Sequence, residues 1–149
     1  MATHRLLHRL FSPLVIAAAL LGACDTVDVG PPLADVNTCR PSQAFFVEQI
    51  WPNFLAKDYA GKRCSNAGCH DAASGRQPAL TPPTSPAAVP LPPDWAAVYR
   101  SVTEHLLCTD VGSSRLLTRT DGRQTHGGGK LIEPNGAEAT LVKMWVGMR

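Results

Sequence analysis

Hydrophobic positions along the chain fall into one unbroken run and three helical stripes. The run, Leu14 to Leu21, carries no charge and follows the basic positions Arg5 and Arg9. It is shorter than the ~20 apolar residues that a membrane-spanning helix needs, so it reads as the hydrophobic region of a cleaved signal peptide over residues 1–23. Val47, Ile50, Trp51 and Phe54 share one helical face and predict a helix from Ser42, its N-cap, to about Ala56. Pro52 lies inside that span. A proline there removes a hydrogen bond and restricts its predecessor, which predicts a kink near Trp51 or two short abutting helices. Trp95, Val98, Tyr99, Val102 and Leu106 predict a second helix from Asp94 to about Leu107. A helical turn is expected around Ser114 to Arg119. The last helix, from about Asn135 to Met148, carries Ala137, Leu141, Met144, Trp145 and Met148 at helical spacing. No stretch alternates with period two and no repeat is visible, so the fold class is all-α.

Composition adds the connections. Residues 75 to 93 hold seven prolines, at 78, 82, 83, 86, 90, 92 and 93, and predict an extended irregular loop. A second long connection is rich in glycine around His126, Gly127, Gly128 and Gly129. Removing the first 23 of 149 residues leaves 126, enough for one modest domain. Arg5 and Arg9 leave with that segment, so the 14 basic residues fall to 12, against 12 acidic ones. A nearly neutral chain offers nucleic acid no footprint, and no nucleic-acid partner is expected. The acidic residues form no glycosidase-like pair and the serines lie in no nucleophile motif, so no hydrolase is read.

The signal region ends in Leu21, Gly22, Ala23 and Cys24, which resembles the lipobox of bacterial lipoproteins. The resemblance implies diacylglycerol on the Cys24 thiol, cleavage before it, and an envelope location with the lipid bilayer as a partner. Several acyl chains, each buried CH₂ contributing ~0.8 kcal/mol, hold a protein stably at a membrane surface. Residues 24–41 are then a lipidated tether, and 42–149 the domain.

Four cysteines remain, Cys39, Cys64, Cys69 and Cys108. Cys64, Ser65, Asn66, Ala67, Gly68, Cys69, His70 resembles the attachment motif of c-type cytochromes in its less common form, with four residues between the cysteines. Two thiols there can add to the two haem vinyl groups, and the histidine that follows stands as the proximal iron ligand. Asn66 and Gly68 suit the turn that a looped-out insertion requires. Three other readings use the same residues. Cys64 and Cys69 can pair as a small disulfide. A zinc site with His70 lacks the second ligand pair, and a thioredoxin-like redox pair has the wrong spacing and no βαβ context.

A second resemblance lies further on. Ser114, Arg115, Leu116, Leu117, then Gly122, His126 and the three glycines after it, Ile132, Leu141 and Trp145 resemble the distal half of the planctomycete-type cytochrome c domain. The likeness covers roughly residues 43 to 149, with the Pro-rich loop as an insertion, and implies a small cytochrome c-like helical domain with covalent haem c. In cytochromes c the segment before the last helix supplies the sixth iron ligand, most often methionine. That segment here has no methionine, and His126 is the donor available in it. Rival donors are Met144 and Met148, which the helical stripe assigns to packing, and His105, which flanks the second helix.

Cys39 and Cys108 are left over, and a bond between them would close a loop of about seventy residues. The expected function is one-electron transfer outside the cytoplasm by a membrane-tethered domain, an electron carrier rather than an enzyme, with Cys64, Cys69, His70 and His126 holding haem. The alternative is a haem-free envelope lipoprotein with disulfides Cys64–Cys69 and Cys39–Cys108, acting as an interaction or structural module. A third reading, a haem-dependent enzyme or sensor, needs an open iron position.

Overall fold

Ser42 opens the first helix as its sequence predicts, its Oγ accepting the Phe45 amide at 3.2 Å. The computed structural model describes residues 39–148, which lie in one compact unit, Ala34–Arg149. The signal peptide, Cys24 and the greater part of the 24–41 tether lie outside the described residues. Among the described residues the protein is helical without a strand, and its one β-type pairing is an isolated antiparallel bridge between Tyr59 and Lys62. The all-α class is therefore observed.

Helix α1 starts over Gln43–Phe45 and runs on through Phe46–Leu55 in π geometry. Neither a break nor a pair of abutting helices forms at Pro52. The helix widens instead, and the Ala56 amide reaches back five residues to the Trp51 carbonyl at 2.8 Å. A wider turn explains why proline is accommodated: the clash of its ring with the carbonyl four residues back belongs to the tighter α register. The remaining helices are α2 (Pro93–Thr103), α3 (Arg115–Thr120) and α4 (Ala137–Gly147), with short 3₁₀ turns at Ala72–Ser74 and Val111–Ser113. Helix α2 begins with Pro93 at its first turn, where a missing N–H costs nothing, and ends four residues before the expected Leu107. The Pro-rich stretch before it is irregular, as composition predicts, and Asp94 clamps it by accepting the amides of Ser85 and Thr84, each at 2.8 Å. Those bonds, the Ser85 amide first, hold the Asp94 carboxyl down at about 2.

Phe46 is fully buried at the centre of the core, with the rings of Tyr99, Trp145 and Trp95 around it at 5.3, 5.4 and 6.5 Å. First and last helices pack together here. The Trp145 indole donates to the Ser42 carbonyl at 2.9 Å, the Ser42 amide donates to the Met148 carbonyl at 2.8 Å, and Lys57 pairs with Glu138. The buried face of α4 differs from the predicted one. Ala139, Val142, Trp145 and Val146 face the core, while Ala137 is exposed and Met144 and Met148 are 49% and 42% exposed. The sequence offers two stripes sharing Trp145, and the docking of that indole on Ser42 selects the one built from smaller side chains.

Cys39 and Cys108 form a disulfide with Cα atoms 5.4 Å apart, joining the start of α1 to the chain beyond α2 across 69 positions of sequence. Closing so long a loop stabilises the fold by about 4 kcal/mol on the chain-entropy model. Cys39→Ser with Cys108→Ser should lower the unfolding free energy by about that amount in a denaturant titration. A loss under about 1 kcal/mol means that the bond is not formed in solution.

Candidate functional site

Helix α1 ends at Leu55, and the chain then makes a series of turns that carry the cysteine and histidine segment. The four residues between Cys64 and Cys69 loop out: Cys69 N donates to Asn66 O at 2.9 Å and Gly68 takes the left-handed region at φ 77°. A residue with a β-carbon is strained there, which is why glycine serves. The loop brings the chain back on itself, so that His70 N donates to Cys64 O at 3.1 Å. Asn66, expected to share the special turn geometry, has no positive φ. Both thiols are free, Cys64 buried and Cys69 half-buried. The short disulfide of the alternative reading is not present. Burial pushes the Cys64 thiol up to about 11, with the neighbouring Cys69 adding to the rise, so Cys64 is held as a thiol.

His70 is fixed through its Nδ1, 2.9 Å from the Pro78 carbonyl. A carbonyl oxygen only accepts, so Nδ1 carries the proton and Nε2 keeps its lone pair. The Leu80 amide donates back to His70 O at 2.6 Å and ties the histidine segment to the Pro-rich loop. Burial lowers the His70 pKa most, and the positive surroundings of His126, His105 and Arg76 act in the same direction against the Pro78 hydrogen bond. The imidazole is thus neutral at neutral pH, the form in which histidine binds a metal.

His126 approaches from the glycine-rich connection. Leu131 and Ile132 amides donate to Thr120 O at 2.8 and 3.2 Å, and Lys62 Nζ donates to Gly128 O at 3.1 Å, pinning that connection to α3 and to the segment before Cys64. A β-carbon on Gly128 would stand 3.1 Å from His126 Cε1, so glycine there leaves room for the ring to fold over the backbone. His126 Nδ1 lies 3.3 Å from Gly129 O, which orients the ring as Pro78 orients His70. The two rings are nearly parallel, 19° apart in plane, with centroids 5.9 Å apart.

Both histidines and both thiols line one cavity of about 770 Å³, with Leu55, Leu80, Leu116 and Leu131 among its apolar walls. His105 lines it too, its Nδ1 2.9 Å from Ser101 O. All three histidines among the described residues therefore meet in one space. Met144 and Met148 are not part of its lining, which removes the packed-methionine rivals from the neighbourhood of the cysteines. Sequence reasoning placed His105 at the flank of α2 and did not anticipate its place on the wall. It also passed over Arg76, Arg115 and Arg119, which line the cavity, although the spacing of Arg115 and Arg119 by four residues was legible.

No group of three or more histidine, cysteine or acidic residues is arranged among the described residues to hold a bare metal ion, so the zinc reading finds no support. What the cavity offers instead is two imidazoles, His70 and His126, stacked with centroids 5.9 Å apart, beside two thiols. Comparisons of the chain with protein-family models, with curated proteins and with solved structures give no match.

Proposed function

We propose that this chain is a lipid-anchored c-type cytochrome domain that carries single electrons outside the cytoplasm. The observation that carries the reading is the meeting of His70 and His126, each oriented through Nδ1 on a backbone carbonyl, in a cavity that also holds two free thiols. Haem bound there supplies a one-electron iron couple. With haem bound, Cys64 and Cys69 would hold it through two thioethers, each S–H adding across one vinyl group so that sulfur bonds one carbon and the proton the other. His70 and His126 offer one Nε2 lone pair each, and the Pro78 and Gly129 carbonyls keep those rings from rotating away. Leu55, Leu80, Leu116 and Leu131 give the cavity apolar walls against which the face of the ring system would pack.

The haem-free lipoprotein reading keeps the Cys39–Cys108 bond but has no account of the unpaired Cys64 and Cys69 on a cavity wall. An open-site sensor would leave His126 off the metal.

The anchoring half of the proposal rests on the lipobox-like residues before Cys24. Cys24→Ser should abolish incorporation of radiolabelled palmitate and release the protein from membranes. Continued labelling of that variant contradicts the anchor.

A further inference from the structure

The cavity is basic on one side only of the charge scale. Lys62, Arg63, Arg76, Arg115 and Arg119 line it, and no carboxylate does. Lys62 is occupied by Gly128 O, and Arg63 pairs with Asp58 at 3.5 Å. Arg76, Arg115 and Arg119 have no side-chain hydrogen bond or ion pair among the described residues. Other basic side chains find carboxylates, as Arg123 finds Asp121 and Lys130 finds Glu133. Arg115 and Arg119 stand one turn apart on α3, so two guanidinium groups share a face and repel. Arg76 belongs to the loop that holds Pro78, near Gly127 of the connection that carries His126; a β-carbon on that glycine would lie 3.8 Å from its Nη1. Like charges gathered from two separate segments around an apolar space leave a repulsion that an anionic ligand relieves.

We propose that Arg76, Arg115 and Arg119 form a carboxylate-binding rim, so that the cavity selects a planar tetrapyrrole by its acid groups as well as by its metal and vinyl groups. Guanidinium forks match carboxylates in two-bond geometry and are weakly hydrated, which suits a half-apolar mouth. The inference rests on the haem reading above and adds to it the side chains that hold the acid edge of the ligand.

The full chain carrying Cys64→Ala and Cys69→Ala, in which binding is reversible, is titrated with ferric protoporphyrin IX and with its dimethyl ester in the same detergent solution. The Soret shift reads binding. The diacid should bind about ten- to one-hundred-fold more tightly than the diester, the range expected for charge-assisted hydrogen bonds. Adding Arg76→Gln, Arg115→Gln and Arg119→Gln should remove that gap and leave the affinity for the diester unchanged, with an unaltered far-ultraviolet circular dichroism spectrum because all three side chains are exposed. Equal affinity for diacid and diester overturns the rim while the haem reading stands. A gap that survives all three arginine substitutions overturns the assignment to these residues. Binding of neither compound overturns the rim together with the haem reading.

Discussion

Replacing Cys64 and Cys69 together by alanine should remove all haem staining from the band of this protein on a denaturing gel, whereas either single replacement should leave one thioether and a weaker band. The expectation follows from placement: both sulfurs lie on the wall of one cavity, and neither is committed to a disulfide. The double variant should still fold, because Cys39–Cys108 is untouched and Cys64, although buried, is small. It should also keep reversibly bound haem if His70 and His126 ligate independently of the thioethers. The same two positions separate the readings without any cofactor. Apoprotein denatured without reductant should show two reactive thiols from Cys64 and Cys69. None from this pair is the result that the haem-free, two-disulfide reading requires.

The second large effect is expected at His126. With both imidazoles bound, the ferric protein should be low-spin, because two nitrogen donors give a strong ligand field. His126→Ala should open one position, shift the ferric spectrum toward high-spin and let carbon monoxide bind the reduced form, with haem still attached through Cys64 and Cys69. His105 is the remaining imidazole on the same cavity wall, so His126→Ala with His105→Ala is the companion variant. His126→Met should keep six-coordination with a weaker donor and raise the reduction potential. Wild-type protein that already binds carbon monoxide freely, or an unchanged spectrum in both alanine variants, removes His126 from the iron. Met144 on α4 and Met148 just past its end, both exposed and outside the cavity lining, should be replaceable without spectral change.

Helices were legible in the sequence wherever one apolar face was unambiguous. The stripe Trp95, Val98, Tyr99, Val102 and Leu106 is buried throughout, and Ser42 caps α1 as its side chain predicts. Legibility failed where two solutions share the same local chemistry. In α4 both candidate stripes contain Trp145, and only its docking against Ser42 O, 103 positions away, decides which turns inward. At Pro52 the sequence announces a disturbance without its form, and the chain meets it with a π-helical segment.

The site divides in the same way. Cys64, Cys69 and His70 are local in sequence and were readable as a unit. The partnership of His70 with His126 depends on the folding of the glycine-rich connection over α3, through Thr120 O and Lys62, and no spacing rule encodes it. Donor elimination reached His126 because the segment before α4 contains no methionine. His105 was undervalued because its neighbours on α2 mark it as a flank position, whereas the turn after Thr103 carries it to the cavity wall.

The most direct test of the central claim is the absorbance spectrum of the full chain, purified after export from a cell with working cytochrome c maturation. Two attached vinyl positions and two imidazole ligands predict a reduced spectrum with a Soret band and a sharp α band, both retained by the protein after acid–acetone extraction because the thioethers hold the haem. A colourless protein, or colour fully removed by that extraction, contradicts the account.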